Sequence, residues 1–259
     1  MKTLYFECNM GAAGDMIMAA LLELHDNPAE FLDRLNDVGI PGVVVNAGPS
    51  VKHGISGTKV TVSIDDQVEN PYMHGLENGD EYSHGSHFYD IEHLMGHLGV
   101  CNEVRENALG IYRLIADAKS HVRGVPVNQI QLNEAGEMDA VADIVGACML
   151  MSQLAPDLVM ASPVHVGSGQ VRCSHGVVPV PAPATAHILR DIPMYGGCIT
   201  GELCTPTGAA ILRYFASDFG PMPIMKVAKI GYGIGTEDFE YANCLRAFIG
   251  ETAGAAEAV

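Results

Sequence analysis

Tryptophan is absent from this 259-residue chain, and basic residues are scarce: 14 Lys and Arg face 31 Asp and Glu, a net charge of −17. Affinity for DNA, RNA and anionic membranes comes largely from cations that neutralise phosphates, so a field of this sign argues against nucleic acid and membrane as partners. The seven cysteines are odd in number and include no CxxC pair, which argues against a zinc ribbon or a secreted disulfide framework and fits a reducing cytoplasm. No HExxH, GxGxxG or GxxxxGK[ST] occurs, so a zinc protease, a dinucleotide fingerprint and a phosphate loop are not indicated. The opening "MKTLYFECNM" lacks the apolar core of a signal peptide, and "AVADIVGACMLM" is too short and interrupted to span a bilayer.

What is present is a high content of Gly, with 29 residues, and 48% apolar residues. This composition suits close-packed helices joined by Gly-rich turns. "KTLYFEC" alternates like a strand and passes through "NMGAAGD" into the helical "MIMAALLELH". A short helix over Pro28 to Val38 precedes two β-branched strands, "VVVNAG" and "GTKVTVSI". Residues 66–88 are rich in Gly, Asn, acidic residues and His, the composition of a mobile surface loop. Helical periodicity starts at Asp90 and continues in a longer helix ended by "VRGVPV"; "QIQL" reads as a short strand before an acidic helix start. Strands around a Gly-Ser-Gly turn, a helix from about Pro183, a helix capped by Thr205 with Pro206 at its first position, and two closing strands complete the pattern. The expected fold is α/β (mixed α+β): one domain over residues 1–250 with a mixed sheet flanked by helices, and a frayed tail at 251–259.

Several segments carry chemistry. Gly11, Gly14 and Asp15 follow Cys8 at a strand-to-helix turn, where free amides can hold an anion; Asp15 could equally cap its own helix. In "NEAGEMDAVAD", Asp139 and Asp143 stand four apart on one helical face with Glu134 just before them, so a cation, an arginine or a raised pKa must offset their repulsion. "HVGSGQVRCSHG" places Gly167 and Gly169 in a turn beside Arg172 and His175, suited either to anion capture or to a plain hairpin. Glu202 and Cys204 precede a helix start bearing Thr205 and Thr207. His74, His84 and His87 in the loop could hold a metal ion loosely, and His93 and His97 lie four apart on the helix that follows.

Together these segments are far more specific than any one of them. The chain resembles the nickel-insertion proteins of the lactate racemase cofactor pathway, the LarC family, through "FECNMGAAGDMIMAALLELH", "NEAGEMDAVADIVG", "SHGVVPVPAPAT" and "GELCTPTGAAIL", in the expected order, with a His-rich variable segment before "DI". It departs at Asn133, where the family carries His. The resemblance implies a CTP-dependent metallochaperone or chelatase, a lyase by reaction class. It would install nickel as a transient substrate in pyridinium-3,5-bisthiocarboxylic acid mononucleotide. It further implies that Glu134, Asp139 and His175 act in catalysis. Gly11, Gly14, Asp15, Gly167, Gly169, Arg172, Thr205 and Thr207 would bind substrate, and Cys8, Asp143, His175, Glu202, His84 and His87 would handle metal. The family's CTP site, which needs a divalent cation, belongs to a C-terminal module; from the sequence that module is expected to be absent here and to act, if at all, as a separate partner. A non-catalytic metal or nucleotide binder and a metal-dependent hydrolase remain alternatives, and a homo-oligomer is compatible with the sequence.

Overall fold

A computed structural model describes residues 1–65, 87–132, 138–173 and 176–253. The chain opens with strand β1 (Lys2–Glu7), helix α1 (Gly14–Leu24), helix α2 (Pro28–Asn36) and a hairpin of β2 (Val43–Lys52) and β3 (Ile55–Ile64). Three helices follow: α3 (Phe88–His97), α4 (Asn102–Arg123) and α5 (Met138–Leu154). Short strands β4 (Leu158–Ala161), β5 (Val164–His165), β6 (Gly167–Ser168), β7 (Gln170–Cys173) and β8 (Gly176–Pro179) lead to α6 (Pro183–Ile188). The chain then runs through β9 (Met194–Tyr195), β10 (Gly201–Glu202), α7 (Pro206–Phe215), β11 (Asp218–Phe219), β12 (Met225–Ile234) and β13 (Cys244–Thr252).

Seven strands form one mixed sheet in the order β11-β4-β1-β13-β12-β3-β2. β1 runs parallel to β4 and antiparallel to β13, and β3 runs parallel to β12. The β1–β13 register sets Leu4 opposite Ile249 and Phe6 opposite Ala247, all buried on the face that meets the helices. Tyr5 opposite Phe248 and Glu7 opposite Arg246 lie on the other face, the latter two joined as an ion pair. Alternation along the strands therefore sorts apolar from polar contacts as a pleated sheet requires.

Helix α1 lies directly on this sheet, because its facing positions are small and so are the strand residues beneath it. A Cβ added to Gly233 would come 1.8 Å from the Met16 carbonyl oxygen. Helix α5 packs on α1, and α4 packs in turn on α5, α6 and α7, so α1 and α5 are almost wholly buried. Three small two-stranded sheets, β5–β9, β6–β10 and β7–β8, sit beyond the main sheet and carry the Gly-rich turns.

The mixed α/β architecture and the element order agree with the sequence. Two local readings change. "QIQL" makes a 3-10 turn at Val127–Gln129 and a single bridge from Gln131 to His87, because its partner is the start of α3 and not a sheet strand. Helix α3 begins at Phe88, two residues earlier than periodicity suggests: the His87 amide donates to Asp90 Oδ2 at 2.8 Å, tying down the first turn. His87 and Phe88 thus belong to an ordered helix start. The rest of the expected loop, 66–86, lies outside the described residues.

Candidate functional site

The turn after β1 is fixed before any ligand is considered. The Gly11 amide donates to the Cys8 carbonyl at 3.1 Å and the Ala12 amide to the Leu203 carbonyl at 3.0 Å, while Thr205 donates back to Ala12 at 3.0 Å. Gly11 has φ +89° and a Cβ there would lie 1.9 Å from the Leu203 oxygen, so its glycine serves a backbone crossing. Gly167, at φ +83°, makes a similar crossing over Gly201, and Gly169 sits against Thr200. The crossings bring the starts of α1 and α7 side by side. Thr205 caps α7 as expected, its hydroxyl accepting from the Gly208 amide at 3.1 Å.

Those two helix starts, with the first turn of α5, open on a cleft of about 900 Å³. Gly14 and Asp15 from α1, Asp139 and Asp143 from α5, Arg172 from β7, and Glu202, Thr205 and Thr207 beside α7 all line it. Residues drawn from four separate stretches of sequence therefore meet in one place. Asp143 Oδ2 packs where a side chain on Gly14 would be, and burial together with the charges of Asp15 and Asp139 pushes the Asp143 carboxyl well above the usual carboxylate range. Its Oδ1 is buried and has no hydrogen-bond partner among the described residues. The Asp15 carboxyl is also raised, mainly by burial, against the pull of the Met16 amide and of Lys59. Asp139 is exposed, with Oδ1 accepting from the Ala140 amide at 2.8 Å.

The same lining holds cations that were not singled out in the sequence, and Lys59 is close enough to act on the Asp15 carboxyl. Lys59 on β3 and Lys119 and Arg123 at the end of α4 line the same cleft as Arg172. Lys119 is buried and its ammonium donates to the Leu132 carbonyl. A signal for it exists: Tyr112, Ile115 and Lys119 recur at helical spacing on the buried face of α4, where a lysine is out of place unless it has a task. Tyr112 on that face is fully buried, its hydroxyl has no hydrogen-bond partner among the described residues, and burial, then the charges of Asp139 and Asp143, raise its phenol. Val60, Val62, Val171, Val178 and Pro183 add an apolar part to the same lining.

Other expected residues fall elsewhere. Cys8 is fully buried, and desolvation pushes its thiol up to about 12; it does not line the cleft. Gly11, Gly167 and Gly169 likewise lie outside the lining. His87 starts α3 with Nδ1 3.1 Å from the Ile130 carbonyl oxygen. Glu134, His175, His74 and His84 lie outside the described residues. Among the described residues, no group of three or more His, Cys, Asp or Glu side chains is arranged to hold a metal ion, and no helix is long and apolar enough to cross a membrane.

Fold and cleft define a mixed α/β protein that brings carboxylates, cations and helix starts into one cleft. The family model described as nickel insertion protein matches residues 4–259, and the chain belongs to that family. It is 37% identical over 253 residues to the pyridinium-3,5-bisthiocarboxylic acid mononucleotide nickel insertion protein of Geobacillus kaustophilus, covering 97% of this chain and 60% of that protein. To the protein of the same name from Clostridium kluyveri it is 38% identical over 252 residues, covering 97% and 62%. The relative of that name from Desulfitobacterium hafniense strain DCB-2 is 36% identical over 253 residues, covering 98% and 59%. The chain thus spans about 60% of the length of the curated relatives it matches. No solved structure matches it.

Proposed function

We propose that this chain performs, or contributes the binding cleft for, nickel insertion into pyridinium-3,5-bisthiocarboxylic acid mononucleotide. The observation that carries this reading is the mixed lining of one cleft: Lys59, Arg123 and Arg172 share it with Asp15, Asp139 and Asp143 and with a set of apolar residues. A mononucleotide with a charged aromatic ring has matching parts. Its phosphate pairs with the cations and lies near the start of α7, where the helix dipole favours an anion. Its pyridinium ring packs on the valines, and its positive charge is met by the carboxylates.

Nickel is a substrate of this reaction and forms bonds to two sulfurs and one ring carbon of the nucleotide. Forming the nickel–carbon bond releases the proton of a ring C–H, which a carboxylate must accept. Asp139 is assigned that role because it is exposed to the cleft and sits on the first turn of α5. Glu134 and His175 are proposed as its partners from their places next to the cleft-lining segments in the sequence. Asp143 and Glu202 are assigned to transient contact with nickel; hard-oxygen and imidazole donors release the ion readily to the softer sulfur ligands of the substrate. This is the work of a metallochaperone and, by reaction class, of a lyase.

CTP with a divalent cation is proposed to support the reaction, acting through the C-terminal module implied by the family resemblance. A reducing cytoplasm is the proposed setting, supported by Cys8, Cys101, Cys148, Cys198, Cys204 and Cys244 all being free thiols. The test incubates the purified chain with nickel and the dithiolated mononucleotide, with and without CTP and a C-terminal module supplied separately, and follows the nickel-bound product by mass spectrometry. Product in at least one combination is expected. Intact substrate in all of them overturns the reading, and phosphoester hydrolysis with metal alone would point to a hydrolase.

A further inference from the structure

Outside the cleft, two imidazoles from different helices meet. His121, in the last turn of α4, and His187, on α6, have ring centroids 4.3 Å apart with their planes inclined by 30°. The site borders the cleft: Val122 and Arg123 line the cleft from α4, and Ala184, one turn before His187, lines it from α6. Both rings reach solvent, His121 fully and His187 in part.

We propose that His121 and His187 form a two-imidazole docking site for a divalent transition-metal ion at the edge of the cleft. Histidine side chains on two packed elements can turn about χ1 and χ2 to aim one ring nitrogen each at a common ion, with no movement of the backbone. Two protein ligands leave the remaining positions of such an ion to water, which gives a site that loads and empties quickly.

The donor atoms select the kind of ion. Arg190, Arg213 and Asp117 are the charged groups that act on His187 besides His121. Arg213 is held by the Ile188 and Arg190 carbonyls at 2.9 and 2.7 Å, and Arg190 lies 3.7 Å from Asp191. These two cations are matched by the two carboxylates Asp117 and Asp191, so ligand type decides: a hard ion such as Mg²⁺ or Ca²⁺ binds oxygen and gains little from imidazole. A borderline ion such as Ni²⁺, Cu²⁺ or Zn²⁺ gains from two nitrogen bonds. If the proposed nickel-insertion function is right, this pair stages the ion one helix turn from the cleft; the metal site itself does not depend on that function.

The experiment titrates the whole chain with Ni²⁺ alone by calorimetry and repeats it with His121→Ala, His187→Ala and the double variant, all in a background where His74, His84 and His87 are Ala. One class of Ni²⁺ site should weaken by about tenfold or more in either single variant, with little further loss in the double variant, because one imidazole alone cannot chelate. Mg²⁺ should give no heat at this site. Binding should weaken as pH falls, because an imidazole must shed its proton to hold a metal ion. Unchanged Ni²⁺ binding in the double variant overturns the proposal, as does equal affinity for Mg²⁺. Because the readout is metal binding and not product formation, it separates failure of this site from failure of the insertion reading.

Discussion

A Cβ placed on Gly14 would lie 2.7 Å from Oδ2 and 2.9 Å from Cβ of Asp143, so the first residue of α1 and a carboxylate of α5 occupy adjoining space with no room for a methyl group. The contact joins two of the segments that characterise the sequence, "NMGAAGD" and "NEAGEMDAVAD". Gly14→Ala is expected to destabilise the chain by ~1–3 kcal/mol through overpacking. Asp143→Gly, which removes both the Oδ2 and the Cβ contact, should relieve much of that loss, so the double variant will be more stable than the sum of the singles. Urea unfolding of the four proteins checks it, and strict additivity would show that the contact does not exist.

The raised Asp143 carboxyl predicts how stability depends on pH. Its pKa in the folded chain lies above the unfolded value, so the folded state holds the proton more tightly and the acid is best tolerated when neutral. Its effect on stability is therefore least harmful below about pH 4 and grows as pH rises from there towards the folded pKa. Asp143→Asn, which mimics the neutral form, should be more stable than the parent at pH 7. That advantage should shrink as pH falls and vanish near pH 4. Thermal unfolding from pH 4 to 8 decides it; an advantage independent of pH would mean that burial of this charge is not the cause.

Arg172→Ala and Lys59→Ala are expected to weaken mononucleotide binding about 10- to 100-fold, the loss of a charge-assisted hydrogen bond or two, with a smaller effect on the rate at saturating substrate. The loss should narrow as salt is added, because the exposed cations are screened. Binding measured by calorimetry at two ionic strengths tests both parts. Full affinity in both variants would remove these cations from the phosphate site.

The thiols divide by burial. Desolvation pushes Cys8 up to about 12, and Cys204 is raised as well, so both stay protonated and shielded in the native chain. Cys101 and Cys198 are exposed. Iodoacetamide at pH 8 should label the exposed pair within the period in which Cys8 and Cys204 remain unmodified, and nickel should not alter the pattern at Cys8. Rapid labelling of Cys8 that nickel blocks would restore it as a metal ligand.

Much of the architecture is legible in one dimension because the forces that set it are local. Alternation in "KTLYFE" marks β1, and Thr205 followed by Pro206 marks the start of α7, since a cap and a missing amide act within one turn. Asp15, Asp139, Asp143, Arg172, Glu202, Thr205 and Thr207 were recognisable as residue types in suggestive places. Lys59 and Arg123 were not, because a cation on a strand or a helix end has the same sequence signature whether it faces solvent or a cleft, and Lys119 was marked only by its helical spacing from Tyr112 and Ile115 on the apolar face of α4.

By itself, then, the sequence determined the class of fold, the helix and strand starts, the acidic character and the set of motifs that resemble one family. Only the tertiary structure decided that those motifs share a cleft, that cations join the carboxylates there, and that Cys8 is a core thiol. The physical reason is that burial and charge proximity depend on contacts between distant segments, such as Ala12 with Leu203 and Gly14 with Asp143, which no local pattern encodes.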